Sequence, residues 1–288
     1  EKAGELSVGF NRGGWWGQMY GEENMHLHFA TPSFTAGTKG PQRGHVVIEP
    51  RTQEQLNRVK HQLKGSWVLL NGHNRGWSFG YGKFWDERRE KIIASNAEAE
   101  KWNREHAGED GEKKHIDDDT APLFHNQMVE AGILGFVQKG TTPLTALYDR
   151  DVIRENIPFD SLPTMPNIIL DEHQFDHIYR MAKERRNVQL EFDIRNYFKI
   201  GPVPYHNVVA TIKGSKYPDE YVIVGAHLDS YDVATGGVDC GSGVSAVMEA
   251  ARMIAASGAK PERTIKFILF AGEEFGLLGS YAWLNQHE

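Results

Sequence analysis

The chain has 288 residues, 40% hydrophobic and 25% charged, which is ordinary for a soluble globular protein and long enough for two compact domains. Its formal charge of −7, from 32 Lys and Arg against 39 Asp and Glu, argues against nucleic acid, where a basic face is expected. No apolar run approaches the ~18 residues of a membrane span, and the single cysteine, Cys240, excludes an internal disulfide and a thiolate zinc cage, so any metal must be held by His, Asp and Glu.

In chain order, Glu1 to Phe34 is rich in glycine and aromatics, as in Gly13-Gly14-Trp15-Trp16-Gly17, and shows no clean period. No signal peptide opens at Glu1. Thr35 to Pro41 reads as a linker. Strand-like runs follow at His45 to Ile48, Ser66 to Leu70, Gly132 to Val137 and Asn167 to Leu170. Among them lies the densely charged Asp86 to Thr120, helix-compatible over Glu87 to Trp102 and loop-like around Gly108 to Gly111 and Asp117 to Asp119. It reads as a solvated helix and loop.

After Gln174 the pattern becomes regular. Asp176 to Arg185 suits a helix, and Val188 to Ile194 alternates like a half-buried strand. Then come a strand (Asn207 to Ile212), a turn, a strand (Tyr221 to Ala226), a loop, a helix (Ser242 to Ala256) and a strand (Thr264 to Phe270). Val244, Val247, Met248, Ala251 and Ile254 share one helical face, and Gly258 stops that helix. Val222 to Val224 and Ile265 to Phe270 are nearly continuous apolar runs, the mark of strands buried on both faces. Strand, helix and strand at this spacing form a βαβ unit, whose chemistry belongs at the carboxyl ends of its strands.

Two such ends carry chemistry-bearing residues. His227 and Asp229 stand two apart and face one side of an extended chain, so Asp229 can accept the second ring N–H of His227 or otherwise orient it, as a zinc-ligating imidazole requires. Asp239 precedes a helix N-terminus, where a carboxylate is stabilised and can bridge two cations. Glu273 and Glu274 follow the last strand. Held together without a cation they repel; with one, a carboxylate can bind metal while its neighbour takes a proton from an activated water.

His227-Leu-Asp229, Gly237-Val-Asp239-Cys-Gly-Ser-Gly and Ala271-Gly-Glu273-Glu274-Phe-Gly resemble the successive motifs of the M28 zinc peptidases. The lead-in from Asn207 to Glu220 is similar to the plasma glutamate carboxypeptidase branch. The resemblance is dense over Asn207 to Tyr281. It implies an α/β fold, a mixed sheet flanked by helices, and a co-catalytic two-zinc exopeptidase acting on peptides or dipeptides. It further implies that His227 binds one zinc, Asp239 bridges both, Glu274 binds the other, Glu273 is the general base and Asp229 supports His227. Cys240 stands where the family often has Asp or Asn.

Looser similarity makes residues 34–186 an inserted, mainly-β protease-associated domain, with 1–33 the edge of the catalytic domain and 187–288 its incomplete remainder. The family's last two ligands, an Asp and a His, are expected downstream of residue 288. The chain is therefore expected to be cut at both ends, to bind metal poorly and to be inactive by itself. Resemblance also implies export, secreted or periplasmic, and a possible homodimer. Two alternatives share the fold: a glutaminyl cyclase-like acyltransferase with one zinc, and a non-catalytic binding ectodomain. Weaker candidates are set aside as structural: His26-Leu-His28, the turn-rich Phe79 to Gly82, His115 with Asp117 to Asp119, Asp149-Arg-Asp151 and His287.

Overall fold

The computed structural model describes residues 1–70, 79–80, 83–108, 111–117, 122–145, 152–153, 156–232 and 234–287. Tyr81, Gly82, Glu109, Asp110, Asp118, Asp119 and the Asp149-Arg150-Asp151 triplet lie outside these residues. The chain forms two compact units, one of Phe10–Val152 and Ser161–Lys199, the other of Glu1–Gly9, Ile153–Asp160 and Ile200–Glu288.

The larger unit holds most of an eight-stranded sheet. The sheet's strands are β1 (Lys2–Gly21), β2 (Met25–His26), β3 (Phe29–Ala30), β4 (Gln42–Ile48), β5 (Trp67–Leu69), β6 (Gly135–Lys139), β7 (Asn167–Leu170) and β8 (Val188–His206). The start of β1, up to Gly9, and the end of β8, from Ile200, belong to the smaller unit. Across the sheet they run β2-β1-β8-β4-β5-β6-β7-β3. β4 to β7 are parallel, and β8 and β3 flank them antiparallel. Parallel neighbours cannot be joined by tight turns. Helix α1 (Gln53–Val59) accordingly connects β4 to β5, and α2 (Lys83–Glu105) and α3 (His125–Glu130) lie between β5 and β6. Helix α4 (Glu172–Lys183) then leads into β8.

Strand periodicity accounts for the core. Trp67 and Leu69 pack on one side of the sheet with Phe175, Ile178 and Met181 of α4, while Val68 and Leu70 pack on the other with Leu56, Phe124 and Met128. Asp171 caps α4 by accepting the N–H groups of His173 (3.0 Å) and Gln174 (3.2 Å), a contact type worth about 1 kcal/mol.

Helix α2 is attached differently, because its buried residues are Arg89, Asn96 and Ala99. Asn96 donates to the carbonyls of Arg51 (3.3 Å) and Asp117 (3.1 Å) and accepts the N–H of Asp117 (2.8 Å). Arg51 in turn donates to Glu49 at 2.9 Å, and the same Glu49 oxygen accepts the N–H of Leu123 at 2.8 Å. The charged segment is thus a helix, as its composition predicts, and its inward face combines these polar groups with Ile92 and Ile93, which pack against the core.

Two expectations are corrected in this unit. The aperiodic N-terminal stretch is the 20-residue strand β1, and only Val8, Gly17 and Met19 of it are buried, so no apolar alternation marks it. The Thr35 to Pro41 stretch is no loose linker at its start: Thr35 is buried and donates to the carbonyl of Pro32 at 2.5 Å, and Thr38 accepts the N–H of Ile194 at 2.8 Å. Its small and hydroxylated residues satisfy nearby backbone groups.

The smaller unit contains β9 (Val208–Ile212), β10 (Tyr217–His227), helix α5 (Gly241–Ala256), β11 (Arg263–Phe270) and helix α6 (Leu278–His287). The sheet order is β10-β11-β9. β10 and β11 are parallel and joined through α5, so the expected βαβ unit is present, with His227 level with Phe270. Val247, Phe267, Ile268 and Trp283 are the buried apolar residues of its βαβ unit and last helix, and Val8 and Ile153 are buried elsewhere in the same unit. Val222 and Ile223 are not buried on both faces as their run predicts; they are 45% and 46% exposed, because β10 is the sheet's edge strand among the described residues.

Asn207 is the polar anchor of this unit. It is 2% exposed, donates to the carbonyl of Gly279 at 2.8 Å and accepts the N–H of Ala271 at 3.0 Å. Its backbone exchanges hydrogen bonds with Glu1, at 2.8 and 2.9 Å. Replacing it strands a buried donor and a buried acceptor, each worth about 1–3 kcal/mol. Asn207→Ala is expected to lower stability by on the order of 2–4 kcal/mol in denaturant titration and to speed hydrogen exchange of the Ala271 amide. An unchanged Ala271 exchange rate would show that the side chain does not hold this turn.

Candidate metal centre

The parallel register of β10 and β11 brings the two strand ends out at one edge. The N–H of Leu228 donates to Phe270 at 2.7 Å, carrying the ladder one step past His227. Beyond Phe270 the chain folds into a tight turn. Glu273 O accepts the N–H groups of Gly276 (2.8 Å) and Leu277 (2.9 Å), and Ala271 O accepts that of Gly279 (2.8 Å). Gly272 has φ +68° with Leu278 packed against its α-carbon side, so a glycine is required there.

His227 is the centre of the cluster. Its Nε2 lies 2.9 Å from Asp239 Oδ1 and 3.9 Å from Glu273 Oε2. Its Nδ1 lies 2.9 Å from the backbone carbonyl of Asp229 and 3.8 Å from that residue's carboxylate. A carbonyl can only accept, so Nδ1 carries a proton and donates it. The carboxylate of Asp229 is used elsewhere: Oδ1 accepts the N–H of Glu273 and Oδ2 that of Glu274, each at 3.1 Å. Asp229 therefore orients the imidazole with its main chain and the Glu273-Glu274 turn with its side chain.

Asp239 immediately precedes Cys240, the N-cap of α5, and its side chain is 71% exposed. Glu274 is 8% exposed. Burial raises its pKa, and the negative charges of Asp239 and Glu273 raise it further against the opposing effect of His227. For His227 burial works downward, but the hydrogen bond to Asp239, the Asp229 carbonyl and the charges of Glu273 and Asp229 prevail, and its pKa is raised.

Donor atoms of His227, Glu273 and Glu274 lie within 4.8 Å of one another, as do those of His227, Asp239 and Cys240. One imidazole and three carboxylates converging on a small volume is a donor set that suits zinc or a similar divalent cation. All five residues singled out by sequence, His227, Asp229, Asp239, Glu273 and Glu274, are brought together at this edge. Asn207, which supports the Glu-Glu turn, was not among them; a lone Asn before a strand gives no signal of its own. His287 stacks on Trp283 at 4.3 Å and lies 3.5 Å from Glu1.

Residues 207–288 match Peptidase family M28. Carboxypeptidase Q of Homo sapiens is 33% identical over 131 residues, which are 45% of this chain and 27% of that protein. The chain thus spans about a quarter of the length of this curated relative. Among solved structures, the peptidase M28 precursor of Shewanella amazonensis SB2B superposes on 99% of this chain and 57% of its own, with a TM-score of 0.56 at 22% identity. A zinc aminopeptidase from Bacillus subtilis covers 97% of this chain and 55% of its own, with a TM-score of 0.51 at 15% identity. The mixed α/β architecture, a large mixed sheet flanked by helices, is that of M28 peptidase structures.

The two shifted groups make a stability prediction. Folded, the chain binds protons at Glu274 and His227 more tightly than when unfolded. The stability they contribute is present at low pH and is lost as pH rises through their folded values. Glu274→Gln is therefore expected to stabilise the metal-free chain at pH 7.5, with the gain shrinking toward pH 4, and to weaken zinc binding. Thermal melts in chelator and zinc titrations test both arms. A variant less stable than the parent at pH 7.5 would refute the electrostatic account.

Proposed function

We propose that this chain is part of a co-catalytic two-zinc metallo-exopeptidase of the M28 type, cleaving terminal bonds of peptides or dipeptides. The observation that carries the proposal is the convergence of His227, Asp239, Glu273 and Glu274 on one sheet edge, within the segment that matches that family. The names of the relatives, a carboxypeptidase and a zinc aminopeptidase, agree with the reaction class.

The roles follow from the environment of each group. His227, with its Nδ1 proton held by the Asp229 carbonyl, has Nε2 available as a donor to one zinc. Asp239, exposed at the start of α5, has two oxygens to share between cations. Glu274, buried beside other anions, is the carboxylate that gains most from a cation and is assigned to the second zinc. Glu273 is the general base: its backbone is clamped by Asp229 and its carboxylate is half-exposed, placed to take a proton from water and pass it to the leaving amine. Zinc bound here would supply Lewis acidity to the water and to the scissile carbonyl. Two ions require more donors than these, and the reading assigns the rest, an Asp and a His, to sequence beyond Glu288. Residues 34–186 are read as an accessory, protease-associated insertion, and export, secreted or periplasmic, accompanies the assignment.

In the protein carrying Glu273→Gln, zinc content is expected to be kept while hydrolysis of unblocked dipeptides falls by about 10²–10⁴-fold, the usual contribution of a general base. His227→Ala is expected to lose zinc as well as activity. Metal analysis and steady-state kinetics on both variants decide the matter: a Glu273→Gln protein with undiminished turnover removes that residue from the chemistry, and a His227→Ala protein with full zinc removes the metal centre.

A further inference from the structure

An open groove of about 850 Å³ lies in the larger unit between β4, α1 and the end of α4. Its construction follows from a mismatch in strand length. β4 pairs with β8 only as far as His45 opposite Gln189, whereas its pairing with β5 continues through Ile48 opposite Leu69. Glu49 gives its N–H to Leu69 at 2.9 Å, so the two-residue alternation of a strand turns the main-chain groups of Ile48, and the carbonyl of Val46, toward the opposite side. No strand faces them there among the described residues. A short stretch of sheet edge is left open inside a groove, and Pro50 ends it one residue past Glu49.

The walls select what such an edge can accept. Val46, Ile48, Val59 and Ala182 give the groove an apolar floor. Arg58, Lys183, Arg185 and Arg186 stand around it, against the single carboxylate of Glu49, which is matched by Arg51 at 2.9 Å. Arg186 is engaged by Glu22 and Glu23, at 2.8 and 3.0 Å, and Arg58 lies 3.6 Å from Glu54. Lys183 and Arg185 have no carboxylate within ion-pair distance among the described residues; the Lys183 ammonium lies 4.7 Å over the Tyr179 ring, a contact that leaves its charge uncompensated. Arg185 is held at φ +57° by the turn that ends α4, where its N–H donates to Ala182 (3.1 Å) and that of Arg186 to Met181 (3.0 Å). This concentration of positive charge occurs in a chain whose formal charge is −7.

We propose that this groove is a peptide-binding site that takes an extended, acidic segment by adding it as a short strand to β4. The Val46 carbonyl and the main chain of Ile48 supply the pairing, alternate side chains reach the apolar floor, and carboxylates meet Lys183 and Arg185. The site stands on the larger unit alone and does not depend on the assignment of the metal centre.

The test uses the chain with an N-acetylated pentapeptide of alternating Glu and Val, followed by amide hydrogen exchange and fluorescence anisotropy. Binding is expected to slow exchange of the Ile48 amide and to weaken as salt is raised. The double variant Lys183→Gln and Arg185→Gln is expected to bind roughly tenfold more weakly with an unaltered melting temperature. A peptide N-methylated at its pairing amides is expected not to bind. Unchanged exchange at Ile48, or equal binding of the N-methylated peptide, would overturn strand addition. Equal binding of a Lys and Val peptide, or competition by free glutamate at the same concentration, would overturn the acidic-peptide assignment.

Discussion

A carboxylate with both oxygens committed to adjacent backbone N–H groups joins the two halves of the candidate metal centre. Asp229 leaves β10 directly after His227, and its side chain crosses to the N–H groups of Glu273 and Glu274 beyond β11. Parallel pairing fixes how far along each strand the edge lies, but it leaves the direction of the following loops open. The Asp229 bridge settles that direction for the Glu-Glu turn, and Asn207 secures the same turn from the other side through Ala271 and Gly279. Charge-assisted hydrogen bonds of this kind are about twice as strong as neutral ones. The position of both glutamates therefore rests on main-chain contacts, and their side chains remain available for chemistry.

That availability has an energetic counterpart. Burial and the neighbouring negative charges of Asp239 and Glu273 disfavour the ionised form of Glu274 and raise its pKa. The smaller unit meets this cost with a modest apolar core, centred on Phe267, Ile268, Val247 and Trp283, while Val222, Ile223, Met248 and Met253 face outward. A cation would relieve the repulsion and stabilise the folded chain in proportion to its affinity, so that occupancy and stability are linked in this unit.

The reacting edge was legible because its signals are local. A two-residue spacing, a helix start and an adjacent pair of carboxylates can each be read within a dozen residues. The βαβ rule then places them together, and the structure brings all five residues to one edge. What the pattern could not show is which atom of Asp229 does what, because that depends on a turn closed 44 residues later. Strand β1 escaped notice for the opposite reason: most of its side chains are partly exposed, so alternation carries no apolar signal. The exposure of Val222 and Ile223 follows from strand order, which periodicity does not encode.

The attachment of helix α2 sets an uneven pattern of mutational tolerance across the larger unit. An apolar core degrades by degrees, since a Leu can become Met or Ile at a cost below about 1.5 kcal/mol. The junction of Asn96, Arg51 and Glu49 has no such graded substitutes, because their buried side chains satisfy one another and the main chain around them, including the N–H and carbonyl of Asp117, and removing one leaves buried polar atoms stranded. Sequence drift in this unit should therefore proceed freely among the aliphatic positions of the sheet, while these three residues stay fixed and Asp117, joined chiefly through its main chain, is freer to vary.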